Sequence, residues 1–221
     1  MRNVFGKPVY DTLEEKLDPA HTAIIVVDMQ NDLCKPKGRS NAPQGPSPNM
    51  AIVPALSNLL RIGRQSGVKL VYIAYAMDPS GASAAPAWIY YCQREKKDGK
   101  SYAMNLEVCL EGTWGQAIID ELAPQAEDIV VTKNRLGGFW NTNLDQILQA
   151  NGIKTVVITG TATSGCVLDT AVGAAAYDYY TICASECIAG GELHELGMRH
   201  LEDRFDSLST EEFAGIWKTT P

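Results

Sequence analysis

Histidine is scarce in this chain: there are three in 221 residues, and none lies between positions 22 and 193. A nucleophilic side chain usually takes its base from His, so few candidates for that role exist here. Basic residues are also outnumbered, 19 against 26 acidic ones, for a formal charge of −7. Nucleic acids and anionic membranes need clustered Lys and Arg to displace counterions, so neither is an expected partner. The longest basic cluster, Arg94 to Lys97, contains Glu95 and is followed by Asp98, which reads as a solvated face. No apolar run reaches the ~18 residues needed to cross a bilayer. Residues 1–19 are mixed polar without an apolar core, unlike a signal peptide. No Gly-x-Gly-x-x-Gly follows the first strand and no complete Gly-x-x-x-x-Gly-Lys-Ser/Thr loop occurs, which argues against a nucleotide-binding α/β protein. Cys-x-x-Cys is missing too. The six cysteines, at 34, 92, 109, 166, 183 and 187, are diluted through a chain long enough to form a core. They read as reduced thiols of a cytoplasmic protein rather than as bridges or zinc ligands.

What is present is alternation. Thr22 to Val27 is a continuous apolar, β-branched run ending at Asp28, as expected of a strand buried on both faces. Val68 to Ala76, Asp128 to Thr132, Thr155 to Thr159 and Tyr180 to Ala184 repeat the theme. Helical patterns separate them at Ile52 to Gln65, Trp114 to Leu122, Leu144 to Ala150, Val167 to Asp178 and Glu192 to Arg204. A short strand near Ser207 and a helix from Thr210 to Trp217 close the series. Strand and helix in turn predict βαβ units, hence one α/β domain over 1–221 with a parallel sheet between helical layers. A polar extension covers residues 1–20. Cys34 to Pro48, rich in Gly, Pro, Ser and Asn, predicts a loop. A long insert, about 78–112, carries Trp88, Tyr90, Tyr91, Arg94 and Tyr102, and suggests a substrate lid or a subunit contact.

Ligands of open parallel sheets sit beyond the carboxyl ends of the strands. Three chemically capable side chains fall on that rim. Asp28 ends the first strand, Lys133 follows Ile129 to Thr132, and Cys166 lies in the turn Gly160-Thr-Ala-Thr-Ser-Gly-Cys166 after Thr155 to Thr159. Thr163 or Ser164 is placed to cap the next helix, whose N-terminal dipole and a nearby ammonium would favour a thiolate. The other cysteines read as small buried apolar groups, with Cys34 left open because its loop borders the rim. With His21 before the first strand and His194 and His200 in a polar late helix, the base falls to Asp28. Lys133 supplies the charge that a buried carboxylate needs.

The segments Val-Val-Asp28-Met-Gln-Asn-Asp, Lys133 after a strand, and Gly-Thr-Ala-Thr-Ser-Gly-Cys166-Val resemble the isochorismatase-like cysteine hydrolases over about residues 20 to 217. The resemblance implies a three-layer αβα fold with a six-stranded parallel sheet in the order 3-2-1-4-5-6, and a homo-oligomer, dimer or tetramer. It implies a catalytic triad of Asp28, Lys133 and Cys166, an oxyanion hole from the N–H groups of Ala162 and Cys166, and a cis peptide at Thr161–Ala162. Metal-dependent nicotinamidases of the family carry an Asp-x-His and further histidines after the second strand. Here Ala76-Met77-Asp78-Pro79-Ser80 stands instead, so neither metal nor cofactor is expected. The stretch Lys133 to Thr142 followed by Leu144-Asp-Gln-Ile-Leu is most similar to the ureidoacrylate, biuret and N-carbamoylsarcosine amidohydrolase branch. The expected function is cysteine-dependent C–N cleavage of a small amide, carbamoyl or ureido substrate. The alternative is vinyl ether hydrolysis by Asp28 without the thiol. Asn31, Leu33, Trp88, Phe139 and Trp140 are candidate substrate contacts, and Arg94 or Arg135 a candidate partner for a substrate carboxylate.

Overall fold

The computed structural model describes residues 1–40, 47–94 and 106–217. Tyr102, most of the basic cluster and part of the Cys34–Pro48 loop lie outside them. In chain order the strands are β1 (Arg2–Val4), β2 (Lys7–Val9), β3 (Thr22–Val27), β4 (Lys69–Tyr75), β5 (Ile129–Lys133), β6 (Thr155–Thr161), β7 (Tyr180–Ala189) and β8 (Asp206–Leu208). The helices are α1 (Leu13–Lys16), α2 (Asn31–Cys34), α3 (Val53–Gln65), α4 (Pro86–Gln93), α5 (Leu144–Ala150), α6 (Leu168–Ala176), α7 (His194–Glu202) and α8 (Thr210–Trp217).

Six strands form one parallel sheet in the order β5-β4-β3-β6-β7-β8, the topology expected from the sequence. The central strands β3 and β6 bury every residue, which explains their unbroken apolar runs. The edge strand β5 instead leaves Val130 and Thr132 exposed and buries Val131 and Lys133. Alternation along β3 sends Ile24 and Val26 towards Leu56, Leu59 and Leu60 of α3 and Phe213 and Trp217 of α8. Ala23, Ile25 and Val27 face Leu144 and Leu148 of α5, Ala171 and Ala174 of α6 and Leu201 of α7. A third apolar cluster joins Tyr75 and Met77 to Val108 and Cys109 of the insert.

One local expectation fails for an identifiable reason. Trp114 to Leu122 is not a helix; only Asp120–Leu122 makes a single tight turn. The carbonyls a helix would use are already engaged. Trp114 O accepts from Asn31 Nδ2 (2.8 Å), Gly115 O from Asp32 N (3.0 Å), Gln116 O from Gln30 Nε2 (2.6 Å) and Ala117 O from Asn31 N (2.9 Å). The residues after β3 have pulled this segment flat against the rim. The N-terminal extension is structured. β1 and β2 pair as a hairpin, and α1 begins with a reciprocal Thr12–Glu15 capping box. Trp217 Nε1 donates to Leu17 O (2.8 Å) and ties this end to α8.

Gly160, in the middle of the rim, has φ +103° and lies against the backbone of β3. A Cβ there would meet Val27 O at 2.1 Å and Val27 N at 2.6 Å. Gly160→Ala is therefore expected to cost about 3 kcal/mol, from backbone strain and overpacking together, read as a lowered urea midpoint. A midpoint equal to wild type would show that the strands separate freely here.

Burial pushes Cys34, Cys183 and Cys187 from about 9 up to about 12. Above pH 9 the unfolded chain releases these protons while the folded chain retains them, so stability falls as pH rises. Each thiol contributes a slope on the order of 1 kcal/mol per pH unit. The urea midpoint is expected to drop steadily from pH 9 to pH 11; a level midpoint would mean that these thiols ionise freely in the folded protein.

Candidate active site

Asp28, Lys133 and Cys166 converge at the carboxyl end of the sheet. Lys133 is the last residue of β5 and continues the buried row that begins with Val131, so its stem runs along the α5–α6 face of the sheet. Strict alternation would send Asp28 to the opposite face. Its backbone is instead left-handed, with φ 52°, a conformation that Asp tolerates better than most residues. The chain turns out of β3 there and brings the carboxylate to Lys133, with Asp28 Oδ2 2.8 Å from Lys133 Nζ and both side chains fully buried. Lys133 Nζ also donates to Cys166 Sγ at 3.2 Å and to Arg135 O at 3.1 Å. Neither oxygen of Asp28 receives a well-aligned hydrogen bond from the described residues, so the ammonium is the counter-charge on this buried carboxylate.

Cys166 is not in the first turn of α6 as expected. It sits in the irregular turn Thr163–Val167, where Gly165 departs from helical geometry (φ −122°, ψ −107°), and α6 starts only at Leu168. No side chain caps the turn. Thr163 Oγ1 is paired with His194 Nδ1 at 2.7 Å instead, which brings one of the three histidines to the turn that carries the thiol. Thr170 Oγ1 donates to Cys166 O (2.6 Å), and Gly165 N–H and Val167 N–H both donate to Ala162 O. The Thr161–Ala162 peptide is cis.

The electrostatics differ from the expected thiolate. Burial and then the negative charge of Asp28 push the Cys166 thiol up, against the opposing pull of Lys133. Burial works against charge on Lys133, but Asp28 and Cys166 together hold its ammonium well above the ordinary lysine range. Lys133 thus stays positive. Burial and the charge of Asp28 hold the proton on the Cys166 sulfur, beside the carboxylate.

The candidate substrate contacts divide. Phe139 is buried beneath α6, against Gly173 and the ring of Tyr177 (5.3 Å), because its aromatic surface fills the α5–α6 layer. It lines no cleft. Trp140 is 44% exposed on the surface. Asn31 uses its amide on Trp114 O, so its role is to hold the rim segment. Leu33 packs between the α3-side core and the Tyr75–Met77 cluster. Trp88, on α4, packs against that same cluster and stacks on Tyr91 at 5.4 Å. Arg94 lies exposed with its guanidinium 5.3 Å from the Tyr91 ring. Arg135 lies 4.9 Å from the Trp88 ring. Cys34, left open by the sequence, is fully buried in the α3-side core.

Two further residues share in building the site. Asp32 is buried, and its carboxylate accepts from the backbone N–H groups of Arg39 (3.1 Å) and Cys109 (2.7 Å), fastening the insert to the rim. Gln30 clamps Tyr75 through both its amide atoms. Their position immediately after Asp28 was the available hint.

Comparison with known proteins places this geometry. The Isochorismatase domain matches residues 22–212. The ureidoacrylate amidohydrolase RutB of Methylobacterium radiotolerans is 31% identical over 201 residues, covering 87% of this chain and 78% of its own. RutB of Agrobacterium fabrum is 32% identical over 186 residues, covering 82% and 79%. An isochorismatase-like hydrolase from Alkaliphilus metalliredigens superimposes with a TM-score of 0.68 at 30% identity, over 90% of this chain and 99% of its own. N-carbamoylsarcosine amidase from Thermoplasma acidophilum gives a TM-score of 0.68 at 27% identity, over 86% and 97%. By sequence across nearly its whole length and by fold, the chain belongs to the isochorismatase family.

Proposed function

We propose that this protein is an amidohydrolase that cleaves a C–N bond of a small amide, carbamoyl or ureido compound through a covalent intermediate on Cys166. The observation that carries the reading is the buried ammonium of Lys133 bridging Asp28 at 2.8 Å and Cys166 at 3.2 Å. The names of the relatives, ureidoacrylate amidohydrolase and N-carbamoylsarcosine amidase, support the substrate class.

In this mechanism Asp28 takes the thiol proton as sulfur attacks the carbonyl carbon. The Ala162 and Cys166 N–H groups receive the charge developing on the carbonyl oxygen, a contribution whose loss typically costs about 10²–10³ in rate. Asp28 returns the proton to the departing nitrogen, leaving an acyl or carbamoyl thioester. Water, deprotonated by Asp28, then attacks the thioester, and the proton passes to sulfur. Lys133 stays protonated throughout and keeps the carboxylate in place for both transfers.

The test is ammonia release from a panel of ureides and primary amides, with acid-quenched reactions analysed by mass spectrometry. The expected result is turnover accompanied by an acyl-sized mass on the peptide bearing Cys166, both lost in Cys166→Ala. Turnover that persists in Cys166→Ala would end the covalent reading and favour proton transfer by Asp28 alone.

A further inference from the structure

Tyr75, the last residue of β4, has its backbone held from both sides by Gln30. Its N–H donates to Gln30 Oε1 and its carbonyl accepts from Gln30 Nε2, each at 2.8 Å. The ring is thereby fixed beside the triad, with its centroid 5.3 Å from Lys133 Nζ. The hydroxyl is buried and has no hydrogen-bond partner among the described residues; the same holds for the indole N–H of Trp88. Trp88 eases the phenol down, yet neither polar atom has a hydrogen-bond partner among the described residues. Buried donors are rarely left unmet, because each costs free energy until an acceptor arrives. Arg135 sits behind Trp88, its guanidinium 4.9 Å from the ring. It is held by the carbonyls of Asn134 (2.7 Å) and Ser83 (3.1 Å), with no acidic partner among the described residues. Lys133 is already engaged by Asp28 and Cys166. Among the described residues, Arg135 is the cation whose guanidinium lies against the Trp88 ring.

We infer that the Tyr75 hydroxyl and the Trp88 indole N–H bind a carboxylate carried by the substrate beyond its scissile C–N bond, with Arg135 supplying the counter-charge. The inference rests on Cys166 being the nucleophile, since the carboxylate is placed relative to it. Burial supports it by holding the phenol up at about 12, so that Tyr75 remains a neutral donor at working pH. Gln30 acts as a positioning residue that keeps the ring from turning away.

The probe is a matched pair of alkylating reagents, 3-bromopropionate and 3-bromopropanamide, with modification of Cys166 followed by peptide mass spectrometry. The quantity read is the ratio of the acid rate to the amide rate, relative to the same ratio for free cysteine, so changes in thiol reactivity cancel. Wild type is expected to favour the acid by roughly tenfold, and Tyr75→Phe and Trp88→Phe each to remove most of that preference. Both variants are checked for an unchanged urea midpoint. A wild-type ratio equal to that of free cysteine overturns the inference, as does a preference that survives both substitutions together. If Cys166 reacts with neither reagent, the nucleophile reading fails and takes this inference with it. Reaction with the amide at a flat ratio removes only the carboxylate site.

Discussion

Asp28→Asn is expected to make Cys166 more readily ionised and the enzyme nearly inactive. The sign follows from the charges. Asp28 is, after burial, the largest influence raising the thiol, while Lys133 pulls it down. Replacing the carboxylate by an amide of the same shape removes the first and leaves the second. The thiolate then becomes the counter-ion of Lys133, 3.2 Å away. Alkylation of Cys166 by neutral iodoacetamide should therefore rise at neutral pH, its inflection moving to lower pH. Turnover should nevertheless fall by at least about 10³-fold, because nothing remains to protonate the departing nitrogen or to activate water. The two readouts moving in opposite directions separate proton transfer from nucleophile activation. An inflection that stays in place or moves up would show that Asp28 does not govern the thiol.

Lys133→Met is the change with the largest expected effect on stability. Methionine fills much of the volume of the lysine stem but leaves Asp28 buried without its counter-charge, a loss typically worth about 3–5 kcal/mol. The cost arises from an uncompensated charge rather than from lost packing, and a double-mutant cycle distinguishes these causes. Asp28→Asn combined with Lys133→Met removes both charges and is expected to recover most of the stability lost in Lys133→Met alone, as measured by urea unfolding. A double variant as unstable as the sum of the two singles would assign the effect to packing. Turnover should be lost in both: in Lys133→Met the thiol is raised further and its base is no longer oriented, and in the double variant the base is absent.

The strands were legible because β3 and β6 are unbroken apolar runs at strand length, while their order in the sheet came from the family resemblance. The rim positions of Asp28, Lys133 and Cys166 followed from reading the residue at or just beyond each strand end. The details that make these three a site did not follow. Nothing in the local sequence around Asp28 requires the left-handed backbone that turns its carboxylate towards Lys133. Thr163 and Ser164 carried a plausible capping signal, but Thr163 found His194 across the fold instead. Trp114 to Leu122 had helical spacing, yet its carbonyls were claimed by Gln30, Asn31 and Asp32, residues some 80 positions away in the chain (83 between Asn31 and Trp114).

Phe139 and Asn31 show the same division. Residue type named them as candidates, and only the fold showed that Phe139 packs beneath α6 and that Asn31 donates to a backbone carbonyl. Periodicity and residue type, which are local, determined the layers and the chemical groups on the rim. Burial and the competition for hydrogen-bond partners are settled only when distant segments meet. They decided the protonation of Cys166, the pairing of Asp28 with Lys133 and the unmet donors of Tyr75 and Trp88.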